Sequence, residues 1–185
     1  MRFSLFWWLA AMTSPRDKRI DEDIRRLRAL RDNHPNLVQK VSVAGTPVSV
    51  VRLSLGVPTA ANGDYPRAVQ DSSEVQIELS RGYPHSDPPK VSILSPVWNP
   101  NVYPSGLVCP GEWIATQGLD LLALRVMRIL AFDPLIINTA SSANAHASTW
   151  YVQAKKLHPT AFPTIPLDRL LTTQPPPKMS WKNLV

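Results

Sequence analysis

A chain of 185 residues has room for one domain and a tail, and can bury about two thirds of the surface its unfolded form exposes. Its 44% hydrophobic and 18% charged residues are those of a soluble globular protein, and a single cysteine excludes an intramolecular disulfide or a cysteine-rich zinc site, making a reducing cytoplasm the expected compartment. The net charge of +6 raises nucleic-acid binding, but the basic residues are not interleaved with aromatics, so no nucleic-acid partner is expected.

The first 14 residues form an apolar segment, Met1 to Met12 being too short for a membrane-spanning helix of about 20 residues. No stable membrane span is therefore expected. A signal peptide is one reading, disfavoured by a positive region of one arginine and the lack of a clear small-residue cleavage site; an extra docking segment or an upstream start with Met12 as the natural one are favoured over it. Ser14 then caps a helix whose first turn holds Pro15 and Asp17 and which stops at His34-Pro35. Ile20, Ile24, Leu27 and Leu30 give it one apolar stripe, and Arg16, Arg19, Arg25, Arg26, Arg28 and Arg31, interrupted by acids, give it a charged face. That face is either solvated or a docking surface.

Leu37–Val43 and Val48–Leu55 are expected strands around a Gly45-Thr46-Pro47 turn, and Val75–Leu79 and Val91–Leu94 supply two more, completing an antiparallel meander. Gly56–Ser73, with Asn62-Gly63-Asp64 and two prolines, is expected to be a long loop. The apolar run Leu119–Phe132 predicts a buried helix ended by Asp133-Pro134, followed by another from about Thr139 to Leu157. From Pro163 the chain, with Pro175-Pro176-Pro177, is expected to be extended or disordered rather than a second domain. The domain division is thus 1–14, 15–160 and a proline-rich tail over 161–185.

Seven of the 19 prolines fall between Pro84 and Pro110, around the only cysteine, Cys109. Eight positions before it, Asn101 ends the triplet Asn99-Pro100-Asn101. A thiol and a carboxamide in such a stiffened loop suit covalent catalysis, the thiolate attacking and an N–H donor stabilising the charge that develops. A lone cysteine is also, commonly, just a small buried hydrophobe.

The order of motifs adds weight. Tyr83-Pro84, then Pro88-Pro89-Lys90, a strand, the Asn-Pro-Asn triplet and a cysteine eight residues beyond it together resemble the ubiquitin-conjugating enzymes over roughly residues 15–160. The resemblance implies an α+β fold: an N-terminal helix, a four-stranded antiparallel meander, an active-site loop, then central and C-terminal helices. It implies a carrier that accepts an activated ubiquitin or ubiquitin-like modifier as a thioester on Cys109 and passes it to a lysine amine, with Asn101 as oxyanion donor or loop brace. Asn99 and Pro100 become supporting loop residues, and Asn138 or Ser141 a gate for the incoming amine or a cap on the next helix. Partners would be the modifier, an activating enzyme docked at Arg16, Arg19 and Arg26, a target and, for some reactions, a ligase. No cofactor, metal or ATP site is implied, because the energy arrives in the thioester.

Three features depart from the family pattern: Asn99 stands where the triplet has histidine, only nine residues separate Cys109 from the central helix, and the loop before the third strand is long. They mark a divergent member, with the bacterial ubiquitin-like conjugation systems as one setting. Two rivals stay open. One is an inactive member of the fold that only binds a modifier or partner. The other is a cysteine hydrolase using His34, His85, His146 or His158 as base, although no spacing selects one. Trp98, Trp113 and Trp150 are expected to pack loops or core, the first two near the thiol.

Overall fold

The computed structural model describes residues 14–172, so the apolar N-terminal segment up to residue 13 and the triple proline lie outside the described residues. Helix α1 spans Pro15–Asn33, and the Ser14 hydroxyl accepts the Asp17 N–H at 3.1 Å, as its capping position requires. Ile20, Ile24 and Leu27 are buried along one face, and His34 closes the helix by donating its N–H to Leu30 O at 2.9 Å.

Strands β1 (Val38–Ala44), β2 (Val50–Leu55), β5 (Ser73–Glu78) and β6 (Lys90–Ile93) form one antiparallel sheet in that order. Register places Val51 opposite Ile77, and Leu53 opposite Val75, which in turn faces Ile93. Alternation then sends these apolar side chains to one face and Arg52, Gln76 and Ser92 to the other. Between β2 and β5, the expected loop instead contains a two-residue ladder, β3 (Thr59–Ala60) with β4 (Val69–Gln70). Such short pairing leaves no periodic trace in the sequence.

Helix α2 (Leu119–Leu130) buries Leu119, Leu122, Ala123, Val126, Met127, Ile129 and Leu130 in one cluster with the inner sheet face and α1. Each such leucine or isoleucine contributes about 1.5–3 kcal/mol, which makes this the main source of stability. The helix ends two residues short of the predicted boundary at Phe132, which has φ 57°. Asp133 N–H reaches back to Arg128 O at 2.9 Å, so Phe132 occupies the left-handed position usually given to glycine. The backbone cost, about 1–2 kcal/mol, is offset by its ring, which is fully buried and packs on Tyr151 at 5.4 Å and Phe162 at 5.2 Å.

Helix α3 covers Ala145–Leu157 and starts six residues later than expected, because Asn144, itself buried, is the cap and accepts the Ala147 N–H at 3.0 Å. Beyond it lie a 3₁₀ turn, Pro159–Ala161, and a short helix α4, Leu167–Thr172. The described part of the expected extended tail is therefore packed: Phe162 and Leu167 are buried, and Arg128 donates to Asp168 at 2.5 Å. The long loop is tied to this end of the chain by Tyr65 Oη donating to Ala161 O at 2.9 Å and Trp150 Nε1 to Gly63 O at 2.7 Å.

Candidate active site

The segment leading to Cys109 is built as a miniature ladder on the sheet edge. Ile93 N–H donates to Gly106 O at 2.8 Å, Val108 N–H to Val91 O at 2.9 Å, and Val102 pairs with Val108. The turn at the ladder's tip, Tyr103–Gly106, needs its glycine: Gly106 has φ +85°, and a Cβ there would lie 2.5 Å from Ile93 O. Cys109 follows, exposed, with its N–H on Asn101 O at 2.8 Å.

The triplet is held from below. Asn99, with no exposed surface, donates from Nδ2 to Ile129 O at 2.7 Å in α2 and accepts the Asn101 N–H on Oδ1 at 2.9 Å. A carboxamide carries both a donor and an acceptor at this spot, which accounts for an asparagine where the family pattern has a histidine. Pro100 O accepts the Asn144 N–H at 3.1 Å, joining the loop to the start of α3.

Asn101 is nearly buried and sits at the junction of three segments. Its Oδ1 accepts the Asn138 N–H at 3.0 Å, while Nδ2 donates to Cys109 O at 3.4 Å and Ile136 O at 3.3 Å. Both Nδ2 contacts are longer than a good N–H···O bond. They are weak enough to be exchanged for a stronger acceptor at the thiol. The two gate candidates share one exposed turn: Asn138 Oδ1 accepts the N–H of Ala140 at 3.1 Å and of Ser141 at 2.9 Å. Asn138 thus shapes the turn with its side chain and ties it to Asn101 with its backbone.

Of the proposed docking arginines, Arg16 and Arg19 turn inward. Arg16 Nη2 donates to Leu79 O at 3.1 Å and Ser80 O at 2.9 Å. Arg19 donates through Nε to Asp23 at 2.8 Å, through Nη1 to Ala115 O at 3.0 Å, and through Nη2 to Gln117 O. Arg26 stays outward, paired with Glu22 at 2.8 Å, and Arg25 and Arg28 are exposed beside it. Hydrogen bonds from Arg25 and Arg26 hold the Glu22 carboxyl down to about 2. Asp23, fully buried, also accepts the Tyr83 hydroxyl, and burial first, then this bond, pushes that hydroxyl well above the usual phenol range.

Sequence reasoning missed one residue of the site. Arg125, on α2, donates to the spacer after the cysteine, at Glu112 O (2.6 Å) and Pro110 O (3.4 Å). The available signal was weak: Arg125 is one of three charges, with Asp120 and Arg128, in a largely apolar helical run. Trp113 Nε1 donates to Pro84 O at 3.0 Å and its ring meets Tyr83 at 5.9 Å, fastening the spacer to the Tyr-Pro turn. Among the described residues no histidine hydrogen-bonds to Cys109.

The sequence profile of the ubiquitin-conjugating enzyme family matches residues 19–161, which hold most of α1, the whole sheet, the cysteine loop and α3. The chain belongs to the ubiquitin-conjugating enzyme family. It is 28% identical over 149 residues to ubiquitin-conjugating enzyme E2 2 of Candida glabrata, spanning 78% of this chain and 80% of that one. The same enzyme of Saccharomyces cerevisiae is also 28% identical, with 78% of each chain covered. Among solved structures, Saccharomyces cerevisiae Ubc12 superposes with a TM-score of 0.58 at 19% identity over 78% of this chain and 75% of its own. This likeness confirms the ubiquitin-conjugating fold. Family and fold together support ubiquitin conjugation in general, in which such proteins work with a modifier, an activating enzyme and ligases. Among the described residues, no helix is long and apolar enough to cross a membrane.

Proposed function

We propose that the chain carries ubiquitin or a ubiquitin-like protein as a thioester on Cys109 and transfers it to a lysine amine. The observation that carries this reading is the placement of the only cysteine: exposed, at the end of a pinned ladder, with its N–H on Asn101 O at 2.8 Å. In the first step Cys109 Sγ attacks the modifier's C-terminal carbonyl on the activating enzyme. The new C–S bond replaces the old one, and the activating enzyme's thiol leaves with the proton. In the second step a target amine attacks the same carbonyl, the C–N bond forms, and Cys109 departs as its thiol.

Both steps pass through a tetrahedral oxyanion beside the Cys109 backbone. Asn101 Nδ2, already within 3.4 Å of that backbone, is the donor positioned to take it, giving up its two long contacts as it does so. The turn of Asn138 and Ser141 is the proposed gate, its distance from the thiol set by the Asn138 N–H bond to Asn101. Of the proposed docking arginines, Arg26 is the one on the exposed basic face; Arg16 and Arg19 act instead on the scaffold. A reducing cytoplasm is the proposed compartment.

Incubating the full chain with activating enzyme, ATP and candidate modifiers, followed by intact mass, tests the reading. A thiol-sensitive mass increase equal to the modifier less water, followed by transfer to added lysine, is expected. An active mixture that leaves the chain uncharged contradicts it.

A further inference from the structure

The nine residues Pro110–Gly118 between Cys109 and α2 contain neither helix nor strand. Within them the backbone makes a single bond of its own, Gln117 N–H to Ile114 O at 2.8 Å. Ordering such a stretch is costly in conformational entropy, so something outside it must hold it. Side chains do so from two helices. Arg19 of α1 takes the carbonyls of Ala115 and Gln117, and Arg125 of α2 takes those of Pro110 and Glu112 together with Gln117 Oε1 at 3.2 Å. Arg19 also pairs with Asp23, whereas among the described residues Arg125 pairs with no carboxylate. Its charge is given wholly to neutral oxygens of the spacer, beginning one residue from the thiol.

We propose that Arg125 is a positioning residue for Cys109. Its rigid planar fork spans acceptors on Glu112 and Gln117, with a longer reach to Pro110, and by fixing the Glu112 carbonyl at 2.6 Å it fixes the chain leaving Cys109 three residues on, as the ladder fixes the chain entering it. The thioester carbonyl is thereby kept in register with Asn101 Nδ2. This inference rests on the thioester reading of Cys109. A displacement of about 1 Å at the reacting carbon can cost about 10²-fold in rate, so a brace that never touches the modifier still governs transfer.

The test uses the full chain with Arg125→Met, which keeps the apolar stem, Arg125→Lys, which keeps the charge but not the fork, and Arg125→Ala. Limited proteolysis is read at Glu112 and Trp113 in the spacer and at sites elsewhere in the chain, and single-turnover discharge of charged protein to free lysine is read alongside. Arg125→Met is expected to speed cleavage in 110–118 by about tenfold or more with cleavage elsewhere unchanged. Its maximal discharge rate should fall by about 10- to 100-fold while the lysine concentration for half-maximal rate stays within about twofold. Arg125→Lys should fall in the same direction by less, and ethylguanidinium should restore discharge in Arg125→Ala. Wild-type discharge kinetics in the folded Met and Lys variants, unchanged cleavage of the spacer, or failure of the guanidinium to restore discharge overturns the proposal and leaves the thioester reading standing. A wild type that never charges removes that reading, and this proposal with it.

Discussion

The two flanks of Cys109 are ordered by opposite means. On the entering side, residues 99–108 use backbone pairing with β6 and two carboxamides, so neutral groups do the holding. On the leaving side, residues 110–118 are held chiefly by guanidiniums, with Trp113 as one further tie to Pro84, and Arg19 bonds across 96 residues of sequence. A ladder fixes the chain by repetition, and each rung supports the next. The leaving flank has no such redundancy, and each guanidinium there answers for several acceptors.

The difference sets what should break each flank. The largest effect is expected at Asp23, which orients Arg19 and is itself fully buried. Asp23→Ala leaves a guanidinium without its partner and should lower unfolding free energy by about 3–5 kcal/mol, read from the urea midpoint. Asn101→Ala should act on chemistry more than on stability, cutting single-turnover discharge by about 10²–10³. An equal loss in charging and in folding stability would make Asn101 a brace alone.

Gly106→Ala should be milder. It forces a left-handed backbone on alanine and brings a Cβ against Ile93 O, for about 2 kcal/mol of stability, with Cys109 alkylation as a parallel reading of ladder integrity. Smallest are the effects of pH. The folded Tyr83 hydroxyl titrates above its unfolded value, so the folded chain holds a proton that the unfolded chain loses once pH passes about 10. Stability should therefore decline as pH rises beyond that point, and Tyr83→Phe should flatten the decline. Glu22 works in the opposite window. Its folded value near 2 against an ordinary 4.5 means a contribution present above about 4.5 and lost as pH falls toward 2, small because the pair is exposed.

The same contrast explains what could be read from the sequence. The α1 cap, the four-stranded meander and the buried face of α2 declare themselves through spacings of a few residues, and the structure contains all three. So does the order in which Asn99, Asn101 and Cys109 arrive on one loop. The inward turn of Arg16 and Arg19 was hidden, because an arginine on a charged helix looks alike whether it meets water or a carbonyl many residues away. The start of α3 was misplaced since Thr139 and Asn144 are both acceptable caps, and only burial of Asn144 selects between them. Helix α4 is six residues long, below what periodicity can register, and rests on the burial of Leu167 and the bond from Arg128.

The most direct measurement replaces the nucleophile and leaves both flanks alone. Wild type, Cys109→Ala and Cys109→Lys, each incubated with activating enzyme, ATP and the modifier, are compared on non-reducing and reducing gels. A thioester carrier gives an adduct that reductant removes from the wild type, none on the alanine variant, and one on the lysine variant that survives reductant as an amide. An adduct of equal strength on Cys109→Ala, or none on wild type in a mixture that charges another conjugating enzyme, would contradict the assignment of Cys109 as the carrier.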